Sequence, residues 1–257
     1  MSKLIPFAAK PLAKIRNRAR ALKHDTQAIA LIETAVTLPV LLFLSFAGLE
    51  IANLMITHTR ISAVALSVAD NASRIAAGSV LAQPQVREID VNDVFQGARI
   101  QAGELNFQAN GRVILSSLEV NATGGQWIHW QRCYGNLAVT SAFGPEGTGI
   151  TGTSFPGMGD TGQEIKAAVG NAIMFAEVSY RYTPIIMNSL FATPDQIDYE
   201  AAFAVRDARD TTLIYNPNPA AVPSICPTTG TPRKKRGERV GQANGWSNGN
   251  GWGNSKW

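Results

Sequence analysis

Apolar residues run almost unbroken from Ala28 to Ile56, AIALIETAVTLPVLLFLSFAGLEIANLMI, with glutamates only toward the two ends. As a helix rising about 1.5 Å per residue, this run reaches roughly 43 Å, more than the roughly 30 Å hydrocarbon core of a bilayer. The pattern predicts one membrane-crossing helix. Further along, unbroken apolarity gives way to a helical period. Ile61, Val64, Val68, Ala72 and Ile75 recur at spacings of three and four, with Arg60, Ser67, Asp70 and Arg74 on other faces. A single helix from Ala28 to about Ala77 is expected, its first half in lipid and its second half packed on a globular domain. Gly78 is the expected stop, with Pro84 in a linker.

Residues 85–215 read as a small α+β domain. Val91, Val94, Phe95 and Ala98 form the stripe of a short helix capped by Asp90 or Asn92 and ended by Gly103, and Asn110-Gly111 marks a turn. Strand-like runs follow at Arg112–Val120, Trp127–Cys133, Ala172–Tyr182 and Tyr199–Arg206. In the third, Met174, Ala176, Val178, Tyr180 and Tyr182 alternate with Phe175, Glu177, Ser179 and Arg181, as in a half-buried strand. The glycine-rich segment Gly144–Gly162 reads as a long loop. It lacks the strand and helix context of a phosphate-binding motif.

Charge gives the helix a direction. Residues 1–27 hold seven basic side chains against Asp25, a net +6, and positive flanks stay in the cytoplasm. Residues 231–257 hold six basic residues and one acid, so with the chain at +4 the intervening 28–230 carry −7. The basic residues therefore lie in two tails, and the overall charge does not point to nucleic acid. A cleaved secretory signal fits poorly. Ala63-Val64-Ala65 has the small-x-small form, but Glu50, Asn53, His58 and Arg60 separate it from the apolar run.

Cys133 and Cys226 are the only cysteines. In an oxidising compartment they are expected to pair, tying the proline-rich segment Pro217–Pro227 to the strand Trp127–Cys133. No cofactor or metal site is expected, because the three histidines are scattered and only His129 lies near a cysteine. His129 sits between Trp127 and Trp130 and reads as packed or surface-exposed. Asp160 and Glu164, in a glycine-rich loop, read as solvated, and no GxSxG, HExxH or Cys-His signature is present. An enzyme is not expected. Thr228–Trp257 has almost no aliphatic residue and reads as a disordered basic tail. Its Trp246, Trp252 and Trp257 either adhere to an anionic surface, lipid or glycan, or serve no purpose. Arg233–Arg236 matches an R-x-K-R protease pattern that matters only in a eukaryotic secreted protein.

Counting Ile29 as the first residue of a processed chain, Glu33 is fifth, Pro39 eleventh and Glu50 twenty-second, in the order Ala28 | IALIETAVTLP…AGLE. This resembles the TadE-like family, the minor pseudopilins of bacterial tight-adherence (Tad/Flp) pilus systems. WQRCYG at Trp130–Gly135, EVSYRYTP at Glu177–Pro184 and FAVRDAR at Phe203–Arg209 also look like features of its longer members. Ala28 stands where the family usually has glycine, and Thr34 where an aromatic is common. The resemblance implies a pilin-like fold: a long N-terminal helix, transmembrane in its first half, on a small antiparallel-sheet periplasmic domain. It implies processing by a prepilin peptidase between Ala28 and Ile29, with Glu33 part of the recognised pattern. The implied partners are the inner membrane, other pilin-like subunits and the pilus assembly machinery.

Physical chemistry gives Glu33 two readings beside that one. It either pairs with a neighbouring subunit's α-amino group at Ile29, or it is an interfacial glutamate with its head in water. Pro39 removes a backbone donor and either loosens the helix near Ala35–Thr37, with a Thr34 or Thr37 hydroxyl satisfying the freed carbonyl, or is simply tolerated. Glu50 and Asn53 read as the outer interface. The expected organisation is a cytoplasmic leader 1–28, a transmembrane helix 29–56, a continuing helix and linker 57–84, a periplasmic α+β domain 85–227 and a tail 228–257. The second functional reading is a membrane-anchored carbohydrate- or cell-wall-binding module using Trp127, Trp130 and the tail.

Overall fold

The computed structural model describes residues 26–75, 84–186, 195–206 and 209–233. The leader before Thr26, Gly78 with the linker around it, and the tail beyond Arg233 with its three tryptophans lie outside the described residues. The chain divides into two compact units, Met1–Leu54 with Pro184–Thr193, and Met55–Thr183 with Pro194–Trp257.

One helix, α1 (Thr26–Arg74), passes from the first unit into the second without interruption at Pro39. From Ile29 on, its most apolar stretch has a mean hydropathy of 2.1 with none of it buried, which makes α1 long and apolar enough to cross a membrane. The helix ends slightly earlier than expected. Beyond Met55 the periodicity is expressed as packing: Ile61, Val64, Val68 and Ala72 are at most 1 % exposed, while Arg60 and Arg74 are exposed.

After β1 (Gln85–Arg87) come α2 (Glu88–Ala102), a 3-10 turn at Gly103–Leu105 and α3 (Phe107–Asn110). The N-cap of α2 is Arg87, not Asp90 or Asn92. Asp90 reaches back from the first turn to accept the Arg87 N–H at 3.2 Å, and Asn92 is spent elsewhere, donating to the Val222 carbonyl and accepting from the Ser224 hydroxyl. Gly103 ends the helix as expected.

The remaining strands are β2 (Gly111–Val120), β3 (Gln126–Tyr134), β4 (Val139–Thr140), β5 (Ile173–Arg181), β6 (Gln196–Ala204), β7 (Asp210–Tyr215) and β8 (Thr231–Pro232). An antiparallel sheet of order β3-β2-β5-β6 forms the centre, with short parallel pairs β1-β7 and β4-β8 beside it. The chain is thus α+β, an apolar N-terminal helix followed by a small antiparallel sheet. The parallel pairs were not legible, because in each at least one strand is only two or three residues long and shows no period.

Register assigns the faces. Val113, Leu115 and Ser117 of β2 share one face with Val178, Ala176 and Met174 of β5, and Tyr134 and Trp130 of β3 join them. Helices cover this face: Phe95 of α2 stacks on Tyr134 at 6.0 Å, Phe107 of α3 lies near Tyr134 and Tyr180, and His58 of α1 meets Tyr199 of β6 edge-on at 5.9 Å. Ile114, Ser116 and Leu118 share the opposite face with Glu177, Phe175 and Ile173.

That opposite face corrects the half-buried reading of β5. Phe175, Glu177 and Ser179 are each 1 % exposed, as buried as the face beneath the helices. The cover is irregular chain. Phe143, Met158 and Ala167, from the long glycine-rich connection between β4 and β5, pack with Leu118, Ile128 and Phe175 into a second core. The start of the tail is corrected as well. Thr228–Arg233 belongs to the described domain, with β8 paired to β4 and Arg233 only 5 % exposed.

Candidate functional site: the apolar half of the helix and the motifs behind it

The candidate processing and assembly residues lie on α1. Ala28 and Ile29 are within the helix, and Ile29 (64 % exposed), Leu31, Ile32 and Glu33 all face outward from the unit. Ile29 and Glu33 are four residues apart and share a helix face. Pro39 is six residues beyond Glu33, about 240° further round at roughly 100° per residue, so the two do not form one contact patch. The hydroxyls of Thr34 and Thr37 donate to Ala30 and Glu33 carbonyls, both at 2.8 Å, and not to the carbonyl freed by Pro39. Each bonds one turn back, the ordinary geometry for a helical threonine.

Glu50, read as part of the outer interface, is buried within its unit. It is 1 % exposed, and its Oε2 accepts the backbone N–H groups of Ile185 and Ile186 at 3.0 and 3.2 Å. Nothing in the local sequence announced this, because the partners lie 135 residues away. Asn53 is half-buried.

In the second unit, Cys133 and Cys226 form the expected disulfide, closing a separation of 93 residues. Neighbouring backbone supports it: the Cys133 N–H donates to the Ser224 carbonyl at 2.7 Å, and Arg132 bridges Ile225. A cavity of about 720 Å³ opens beside it, its lining including Gln131, Val139, Glu146, Ile225 and Pro232. The one carboxylate among the described residues of that lining is engaged, Glu146 accepting from the Gln131 N–H and from Arg132.

The motif stretches are structural in their geometry. In Trp130–Gly135, Arg132 reaches across to Glu88 of α2 at 2.6 Å, and Gly135 has φ +95°, where an added Cβ falls 2.3 Å from the Gly111 carbonyl oxygen. In Glu177–Pro184, the Glu177 carboxylate accepts from the Ser141 hydroxyl at 2.6 Å and the Ala142 N–H at 2.9 Å. Arg233 stands over it, at 3.5 Å from Glu177, 2.5 Å from Glu200 and 3.4 Å from Asp198. Burial pushes the Glu177 carboxyl above its ordinary range, with Arg233 the chief opposing influence. In Phe203–Arg209, the Arg209 guanidinium donates to the Ala72, Ser73 and Ile75 carbonyls, so it caps the C-terminus of α1. Asp207 and Ala208 lie outside the described residues.

His129 stacks on Trp127 at 4.4 Å and meets Glu119 at 3.0 Å, while Ser117 donates to the same carboxylate at 2.7 Å. The carboxylate stands between serine and histidine, so the imidazole does not address the hydroxyl as a base would. Trp130 is 6 % exposed and offers no platform for a sugar ring. Glu164 accepts the Gly162 N–H within its own turn. Among the described residues no group of three or more His, Cys, Asp or Glu is placed to hold a metal. Comparisons with protein-family models, with curated proteins and with solved structures returned no match for this chain.

Proposed function

We propose that this chain is a TadE-like minor pseudopilin, a non-enzymatic subunit that helps initiate or cap a Tad (Flp) pilus. The observation that carries the reading is an exposed carboxylate, Glu33, one turn past Ile29 in the apolar first half of a helix that is long enough to cross a membrane and leads into an α+β domain. The basic leader supports an inner-membrane topology with the leader in the cytoplasm and the domain in the periplasm. The disulfide is compatible with that compartment. Cleavage after Ala28 by the prepilin peptidase frees the α-amino group of Ile29. On a neighbouring subunit that ammonium is a cation for Glu33, which has no ion-pair partner among the described residues. Burial of Trp130 takes away half of the tryptophan pair on which a carbohydrate-binding module would depend.

Two measurements test this. Protein recovered from its native host should begin at Ile29, and a mature chain still starting at Met1 would count against processing. Glu33→Gln should insert normally, because a neutral amide is cheaper to place in lipid. Its pilus count should nevertheless fall, since removing one member of a desolvated ion pair costs about 3–5 kcal/mol, roughly two orders of magnitude or more in an assembly equilibrium. Equal membrane levels with normal piliation would defeat the pseudopilin reading.

A further inference from the structure

We propose that the turn Pro184–Ile186 is a second lipid contact of this chain, held beside the membrane-crossing helix by Glu50. The apolar surface of α1 does not stop at Glu50. Leu49 and Ile51 on either side are 60 % and 57 % exposed, and Met55 and Ile56 further on are 57 % and 53 % exposed. A carboxylate within such a belt is expensive to leave facing lipid. Glu50 avoids this by being buried against the turn, where its Oε2 receives the Ile185 and Ile186 N–H groups.

The arrangement serves the turn equally. Backbone outside a helix has no partners of its own for these N–H groups, and at membrane depth water does not supply any. Two donors of one turn converging on a single buried carboxylate oxygen is the satisfaction that a lipid-facing turn requires and a hydrated turn does not. Ile185 itself is 67 % exposed, and no charged residue occurs between Tyr182 and Asp195. Exposed apolar surface on the turn therefore continues that of the helix within the same unit. Glu50 is a positioning residue here, and acyl chains are the partner of both surfaces.

The experiment places an NBD dye on Ile185→Cys in the full chain, reconstituted in phosphatidylethanolamine–phosphatidylglycerol vesicles containing doxyl-labelled lipid. The native cysteines are paired and do not label. Leu49→Cys, labelled in the same way, is the lipid reference. The dye at 185 should be blue-shifted, quenched by doxyl lipid to the extent seen at 49, and shielded from iodide. Quenching by iodide and not by doxyl lipid would overturn the proposal. Adding Glu50→Ala should remove doxyl quenching at 185 while leaving it at 49, and undiminished quenching at 185 would overturn the positioning role. The vesicles contain no pilus component, so this outcome is independent of the role proposed above.

Discussion

An Arg233→Met variant is expected to lose about 3–5 kcal/mol of stability near neutral pH, the usual consequence of removing one partner from a buried ion pair. Methionine keeps most of the volume, so the loss reports charge. With the guanidinium gone, Glu177 retains the Ser141 and Ala142 donors but no ion-pair partner among the described residues, at 1 % exposure, with Glu200 nearby. The deficit should depend on pH with a definite sign. Burial holds the Glu177 carboxyl above its ordinary range in the folded protein. Its contribution to stability is therefore complete below that range and is lost as pH rises through the raised value. Losing Arg233 raises that value further. Urea unfolding of the full chain in detergent, followed by tryptophan fluorescence, should show a smaller deficit at about pH 5 than at about pH 8. Adding Glu177→Gln to Arg233→Met should recover part of the loss and flatten the pH dependence. An equal deficit at both pH values would show that Arg233 acts through packing alone.

Cys226→Ser is expected to cost about 2–5 kcal/mol, the range seen when small secreted domains lose a native disulfide. The chain-entropy model places a loop of about a hundred residues toward the upper end, about 4.7 kcal/mol, and the separation here is 93 residues. The segment it anchors has other ties, since Asn92 holds Val222 and Ser224, and Cys133 N–H holds Ser224. Those contacts keep the native position of residues 222–226 favourable, so the variant should fold and unfold cooperatively at a lower midpoint. Reductant should bring the parent protein down to the variant's midpoint and leave the variant unchanged. A parent insensitive to reductant would show that the bridge adds nothing to stability.

The elements set by near neighbours were legible in the chain. Apolar continuity followed by a spacing of three and four described α1 to within a few residues at each end, and alternation or apolar runs located β2, β3 and β5 closely. For β6 the run was right but started three residues late, at Tyr199 where the strand begins at Gln196. The cysteine pair needed only its count and the expectation of an oxidising compartment. The proposed processing and assembly pattern around Ala28, Ile29, Glu33 and Pro39 is likewise a matter of spacing, and the structure adds which of these share a face: Ile29 with Glu33, and not Pro39.

Tertiary structure decided the fate of the charged residues. Glu50 looked like an interfacial acid until the turn at Ile185 and Ile186 supplied its two donors. Glu177 looked like the solvent side of a strand until the chain after β3 and the residue following β8 covered it. Arg233 looked like the head of a basic tail and Arg209 like part of a motif, yet one offsets a buried carboxylate and the other caps α1. The physical reason is the range of the interaction. Hydrophobic period and turn chemistry are written within about a dozen residues, because they record which side of one element is dry. Whether a charge tolerates burial depends on which donors and counter-charges arrive at its oxygen or nitrogen atoms, and in this chain those partners come from as far as 137 residues away.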